Sequence, residues 1–255
     1  MLVHGILNIN KPQGLTSRQV VDRVRKTFGM PKAGHAGTLD PDATGVLLVC
    51  LGNATKLFES LQAGSKEYEG TLTLGVTTDT MDASGKVIQT TNVGSVTEEQ
   101  IIATFKQFEG EIEQIPPMFS AIKHKGKPLY KLARRGIKVE RPPRIVTIHH
   151  LEVLEIHKPY VTFRVCCSKG TYIRVLASDI GTAIGCGAHL SSLTRTRSGI
   201  FTLSDAISLD EIENCPRKAY QAVHSVDDVL EALSGYENIM NRSAKIGRCS
   251  CTKDF

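Results

Sequence analysis

Residues 34–45 read GHAGTLDPDATG and run directly into GVLLVCLG at 45–52. Glycines and prolines set among polar side chains predict that residues 30–45 form a loop, and the apolar run that follows predicts a short buried strand. The loop offers three elementary readings. A phosphate-binding loop ends in Gly-Lys-Ser/Thr, whereas this one ends in Ala43-Thr44-Gly45. The D-x-D-x-T-G spacing from Asp40 to Gly45 imitates a calcium loop, but Leu51 stands where a bidentate glutamate is needed, and Val46 to Val49 is apolar. Asp40-Pro41 is also an ordinary turn-forming pair. On these residues alone Asp40 is a turn residue or a reactive carboxylate.

Working outward, GILNIN predicts a strand that ends at Lys11-Pro12. Thr16-Ser17 can cap a helix whose stripe is Val20, Val21, Val24 and Phe28. NATKLFESL after the buried strand predicts a helix. Tyr68, Gly70, Leu72 and Leu74 alternate with Glu67, Glu69, Thr71 and Thr73, the period of a half-buried strand. TDTMDASG is a turn-rich connection, and Thr97 with Gln100 forms a potential capping box ahead of IIATFKQF. Two strands are expected over Ile145–Ile156 and Tyr160–Cys167, joined at Lys158-Pro159. Residues 171–184 place Ile173, Leu176, Ala177, Ile180 and Ile184 on one helical face. Strands and helices mix without strict alternation, which predicts an α+β fold with a mixed sheet. Beyond Leu209, VDDVLEAL reads as a helix, and SGYENIMNRSAKIGRCSCTKDF lacks periodicity and is expected to be poorly ordered.

Composition bounds the function classes. A chain of 255 residues with 41% hydrophobic and 22% charged residues is an ordinary globular composition. The formal charge of +5 is compatible with a polyanionic partner. Seven cysteines without a C-x-x-C pair suggest reduced, mostly structural thiols. MLVHGILNINKPQG has no signal-peptide pattern, and Val46–Leu51 is too short to cross a bilayer. A cytoplasmic chain is therefore expected. One charge run stands out: KHKGKPLYKLARRGIKVERPPR, residues 123–144, carries Lys123, Lys125, Lys127, Lys131, Arg134, Arg135, Lys138, Arg141 and Arg144 against Glu140 alone. Such a run is either a solvated face or, with Tyr130 interleaved, a set of phosphate contacts with a stacking partner.

Six ordered blocks carry a resemblance over roughly the first 205 residues: GILNINKPQGLTS, GHAGTLDPDATGVLLVCLG, KEYEGTLTLGVTTDTMDASG, IPPMFSAIKHKGKPLYKLARRG, CSKGTYIRVLASDIG and GCGAHLSSLTRTRSG. In these the chain resembles the TruB-type tRNA pseudouridine synthases. The resemblance implies the pseudouridine synthase fold, a mixed and largely antiparallel β-sheet flanked by helices and loops. It implies isomerisation of the T-loop uridine at tRNA position 55 without cofactor or metal, with tRNA as partner. No membrane association and no obligate protein partner is implied, and a monomer is expected. Asp40 matches the family's catalytic aspartate and Arg174 the arginine paired with it, as a buried carboxylate needs a positive neighbour. Tyr68 matches the tyrosine that stacks on the flipped base, and Tyr172 and Leu193 match residues lining the same pocket. His35 matches a histidine that inserts into the T-loop, with no role as general base. Residues 123–144 match the insertion that closes over the RNA, with Lys123, Lys125, Lys127, Lys131, Arg134, Arg135 and Arg144 toward its backbone. The expected organisation is a catalytic domain over 1–209 and a short helical or poorly ordered tail over 210–255. That tail stands where bacterial members carry a β-rich module of the PUA kind. Lys11 is expected to support the Asp40 loop, while RNA contact by Lys11, Arg195 and Arg197 stays open.

Overall fold

The computed structural model describes residues 3–120 and 122–245, with side chains to Tyr236. From the N-terminus come β1 (Gly5–Lys11), α1 (Ser17–Thr27), β2 (Ala33–Ala36), β3 (Thr44–Leu51), a 3-10 turn (Gly52–Leu57), α2 (Phe58–Ala63) and β4 (Lys66–Leu74). Next are β5 (Val76–Thr78), β6 (Val87–Thr90), α3 (Glu98–Lys106), β7 (Gly110–Gln114), β8 (Lys123–His124), β9 (Lys127–Pro128) and α4 (Leu129–Ala133). After β10 (Arg144–His157), β11 (Tyr160–Cys167), α5 (Ile173–Ile184) and β12 (Ala188–Ser198) come the remaining described elements. These are β13 (Phe201–Thr202), β14 (Ile207–Ser208), α6 (Leu209–Asn214), α7 (Pro216–Gln221), β15 (Val223–His224) and α8 (Val226–Lys245). The architecture is α+β with mixed β-sheet.

The chain divides into two compact units, residues 1–69 with 193–255, and residues 70–192. β4 and β12 each run from one unit into the other. In the first unit the strand order is β14-β1-β3-β12, with β15 beside β1, β2 beside β3 and β13 beside β12. β1 is antiparallel to β3 from Gly5↔Leu51 to Lys11↔Gly45, while β12 runs parallel to β3 through Thr194↔Thr44 and Arg195↔Gly45. Its core gathers Ile6, Val46, Leu48, Leu61, Phe201 and Val229. α1 forms where its pattern predicts. Thr16 and Gln19 close a reciprocal capping box, worth ~1 kcal/mol, and Val20, Val21 and Val24 are fully buried, each worth ~1.5–3 kcal/mol.

In the second unit the order is β4-β11-β10-β7. β10 is antiparallel to both neighbours, with bulges opposite β11 that let so long a strand curve. Phe105 of α3 meets Phe163 of β11 edge-on at 5.9 Å in the core. The β4 burial pattern keeps the expected alternation, and Thr97 and Gln100 do cap α3.

The structure corrects three expectations. Residues 30–45 are not loop throughout: Ala33–Ala36 pairs with β3 as β2, from Ala33↔Leu51 to Ala36↔Leu48. Small residues there leave room against a neighbouring strand, which no local signal reports. α8 carries helix from Val226 to Lys245, well past VDDVLEAL, and residues 246–255 lie outside those described. Cys50, Cys186 and Cys215 are free thiols, but Cys166 is disulfide-bonded. Among the described residues no helix is long and apolar enough to cross a membrane.

Candidate active site

In the first unit the Asp40 loop spans the gap between β2 and β3, and its backbone is tied down at several points. Ala43 N–H donates to Asp40 C=O at 3.2 Å, closing a turn around Pro41 and Asp42. The Ser17 hydroxyl and the Leu39 backbone exchange two hydrogen bonds, each 2.9 Å, so the start of α1 fixes the residue before Asp40. Lys11 is fully buried and its ammonium donates to three carbonyls, Pro12 at 2.8 Å, Leu15 at 2.7 Å and Pro41 at 3.0 Å. Burial pushes its pKa down to about 8, against the pull of Asp42 and Asp40, with the Arg195 charge adding to the depression.

Arg195, 1% exposed, donates Nε–H to Val46 C=O at 2.7 Å and Nη2–H to Gly37 C=O at 3.1 Å. These two carbonyls flank the loop. Gly45, at φ +95°, lets β12 come close: a Cβ there would sit 2.3 Å from the Arg195 carbonyl oxygen. The Thr44 and Thr194 hydroxyls share a 2.8 Å bond beside it.

The Asp40 side chain is exposed, where a buried carboxylate is expected from the sequence. The Lys11 ammonium lies near enough to interact with it electrostatically. His35 lies on β2 opposite Val49, half-buried. Burial first, then the Arg195 and Arg18 charges, lowers its pKa, so the ring is neutral at pH 7. Its Nδ1 is buried without a hydrogen-bond partner among the described residues. Tyr68 is buried on β4 and Leu193 is half-buried on β12, next to Thr194.

The second unit holds the other named residues. Arg174, 6% exposed on the first turn of α5, donates Nη1–H to Asp82 Oδ2 at 3.0 Å and Nη2–H to the Phe119 carbonyl. Asp82 is a residue that sequence reasoning missed. Burial alone would raise its pKa. Hydrogen bonds from Ser84, Thr80 and Arg174, with the Arg174 charge, overcome that and hold the carboxyl below the usual carboxylate range. The turn that carries it is locked to β12, with Ala83 N–H donating to Leu190 C=O at 3.0 Å and Leu190 N–H to Met81 C=O at 2.9 Å. Met81 sits at φ +64°, a left-handed conformation that costs a non-glycine residue of order 1 kcal/mol. The only sequence signal for Asp82 is a carboxylate in a turn-rich stretch. Tyr172 is half-buried at the N-cap of α5, where the Gln114 side chain takes its N–H at 2.9 Å and donates to its C=O at 3.2 Å.

The basic segment is anchored at both ends and exposed between them. The Arg174 bond to Phe119 fixes its entry, and Arg141 Nη1–H donates to Pro116 C=O at 3.1 Å at its exit. Between these, the β8–β9 hairpin turns through Lys125 and Gly126 at positive φ, and Arg134 stacks 5.7 Å from the Tyr130 ring centroid. Lys123, Lys125, Lys127, Lys131, Arg134, Arg135, Lys138 and Arg144 are exposed. Lys11 and Arg195 are consumed inside the fold. Arg197 is engaged with Glu67 at 3.5 Å, Ser65 at 3.3 Å and the Tyr236 hydroxyl at 3.2 Å, a structural set of contacts.

Comparison with known proteins identifies the family. The description "TruB family pseudouridylate synthase (N terminal domain)" matches residues 25–173, and "tRNA pseudouridylate synthase B C-terminal domain" matches residues 174–235. The chain is 50% identical over 228 residues to the tRNA pseudouridine synthase B of Alkaliphilus oremlandii, covering 89% of this chain and 73% of that one. Against the protein of the same description from Protochlamydia amoebophila it is 53% identical over 211 residues, covering 82% and 80%. Among solved structures it resembles a chain of a Cbf5-Nop10-Gar1 complex, with TM-score 0.67 and 37% identity. That match covers 87% of this chain but only 57% of the other. The fold is that of the pseudouridine synthases. The chain belongs to the TruB family of pseudouridylate synthases.

Proposed function

We propose that this chain isomerises the T-loop uridine at position 55 of tRNA to pseudouridine, with Asp40 as the catalytic carboxylate. The observation that carries the reading is the Asp40 loop itself. Its backbone is fixed by Lys11, Ser17 and Arg195 while its carboxylate stays exposed, which is how a reactive group is presented without wandering. Curated relatives carrying the description tRNA pseudouridine synthase B support tRNA as the substrate.

The reaction breaks the bond between uracil nitrogen and the anomeric carbon, turns the base, and rejoins it through carbon. Nothing is oxidised and no group is donated. An ionised carboxylate beside the anomeric carbon acts as nucleophile or base. The target must first leave the T-loop stack, at a cost of a few kcal/mol, and stacking on an aromatic face returns ~1–3 kcal/mol. Tyr68 supplies that face, Tyr172 and Leu193 line the pocket, and His35, neutral, takes over the stacking left in the T-loop. Arg174 stands where the family pairs an arginine with its aspartate. Lys123, Lys125, Lys127, Lys131, Arg134, Arg135 and Arg144 meet RNA phosphates. Residues 1–209 form the catalytic part and 210–255 an extension, and the enzyme acts in the cytoplasm as a monomer.

A second reading, action on ribosomal RNA, has one observation in its favour, the likeness to a chain described as "Structure of H/ACA RNP bound to a substrate RNA containing 2'-deoxyuridine". Mapping pseudouridines in tRNA and ribosomal RNA with and without the protein separates the two. Loss of the mark at tRNA position 55 alone supports the first. Loss in ribosomal RNA alone supports the second.

A further inference from the structure

Resting on the reading of Asp40 as catalytic, we infer that Arg195 is the positioning residue of the reaction, a buried guanidinium that holds both flanks of the Asp40 loop in register. Arg195 is the largest of the fully buried side chains, 1% exposed. Among the described residues no carboxylate lies within ion-pair distance of it, and its hydrogen bonds go to the backbone carbonyls of Gly37 and Val46. Taking an unpaired charge out of water costs several kcal/mol, and two carbonyl acceptors offset only part of that. A leucine or methionine would fill the same space at lower cost. What those residues cannot do is bind two carbonyls nine residues apart in sequence, one before the reactive turn and one after it.

The rigid planar fork of arginine fixes both distances at once, and a lysine could satisfy one acceptor at a time. The backbone of the same residue abuts Gly45, where no side chain fits, so Arg195 meets the loop through its main chain and its side chain together. Its charge also reaches Lys11, whose ammonium lies near two exposed carboxylates, Asp40 and Asp42. Both flanks of the loop therefore depend on one buried side chain.

The test compares Arg195→Lys with Leu61→Ala in the full chain. Leu61 belongs to the core of the same unit, and its truncation lowers stability without touching the loop. Single-turnover pseudouridine formation at saturating enzyme, the tRNA dissociation constant and the thermal midpoint are measured for each. Displacement of a reacting group by about 1 Å costs on the order of 100-fold in rate, so Arg195→Lys is expected to fall by ~10- to 100-fold while tRNA affinity holds within about 3-fold. Leu61→Ala is expected to lose thermal stability and keep the wild-type rate. If Arg195→Lys also keeps its rate, Arg195 is merely structural and the inference is overturned. A fall in tRNA affinity with the saturated rate unchanged overturns it too, by making Arg195 an RNA ligand. Should Arg195→Lys fail to fold, Gly37→Ala perturbs the same bond from the carbonyl side, since φ +96° disfavours alanine, and the same rate loss is expected. An active wild type whose Asp40→Asn variant keeps full activity sinks the reading of Asp40, and the positioning role with it. That outcome is distinct from unaffected Arg195 variants.

Discussion

The cations around the Asp40 loop and those of the 123–144 segment are the same residue types in opposite surroundings. Lys11 and Arg195 are buried and spend their donors on backbone carbonyls. The lysines and arginines of the segment are exposed, and its fixed points are the Arg141 bond at one end and the Arg174 bond at the other. The first arrangement sacrifices solvation for geometry and suits a group that must be held to a fraction of an ångström. The second keeps its charges hydrated until a polyanion displaces counterions. A count of basic residues would treat the two regions alike.

The comparison is broken most severely at the loop. Asp40→Asn is expected to abolish pseudouridine formation while tRNA affinity stays within a few-fold, scored by mass spectrometry of digested tRNA. The exchange leaves the cradle intact and removes only the ionised group. Unchanged turnover would show that the pinned loop presents nothing reactive.

Next in size is Asp82→Ala. Removing one partner from a largely buried ion pair costs up to ~3–5 kcal/mol. The unit should lose stability, measurable by urea denaturation, and Arg174 should lose its orientation. If Asp82→Ala is as stable as wild type, another acceptor takes over from Asp82.

The segment should respond differently. Reversing Lys125, Lys127, Arg134 and Arg135 to glutamate is expected to weaken tRNA binding by ~10-fold or more near physiological salt. It should also flatten the salt dependence, by ~0.7–0.9 in log–log slope for each phosphate that is no longer neutralised. The thermal midpoint should barely move, since these side chains are exposed. An unchanged slope would make the segment an ordinary solvated face.

The smallest effect probes burial without compensation. Desolvation holds the Asp179 carboxyl up at about 6. Its folded pKa exceeds the unfolded value, so between about pH 4 and pH 6 the folded state binds more protons and stability falls as pH rises. Discounted for solvent screening of a half-buried group, Asp179→Asn should stabilise the chain at pH 7 by ~1 kcal/mol, and the gain should vanish near pH 4. Destabilisation at both pH values would show that the carboxylate is compensated after all.

Local chemistry is well written into the chain. Capping boxes at Thr16/Gln19 and Thr97/Gln100, the valine stripe of α1 and the alternation of β4 all depend on neighbours within a few positions, and all form where the sequence predicts. β2, β7 and β12 are not legible, because short or polar strands exist only where a partner strand offers its hydrogen bonds.

The candidate site divides the same way. Asp40, Tyr68, Tyr172, Arg174, Leu193, His35 and the basic segment can be named from motif blocks. Asp82 cannot be, since its partner Arg174 is 92 positions away. Nor can the exposure of Asp40, or the burial of Lys11 and Arg195 that takes their donors out of reach of RNA.

The sequence by itself determined the element types, the candidate carboxylate and the density of positive charge, since each is set by residue chemistry at short range. Only the tertiary structure decided which cations became struts and which stayed available. Burial, and the donor–acceptor pairs that make burial bearable, are properties of chain segments that meet from far apart in sequence, as at Arg195 and Val46, separated by 149 positions.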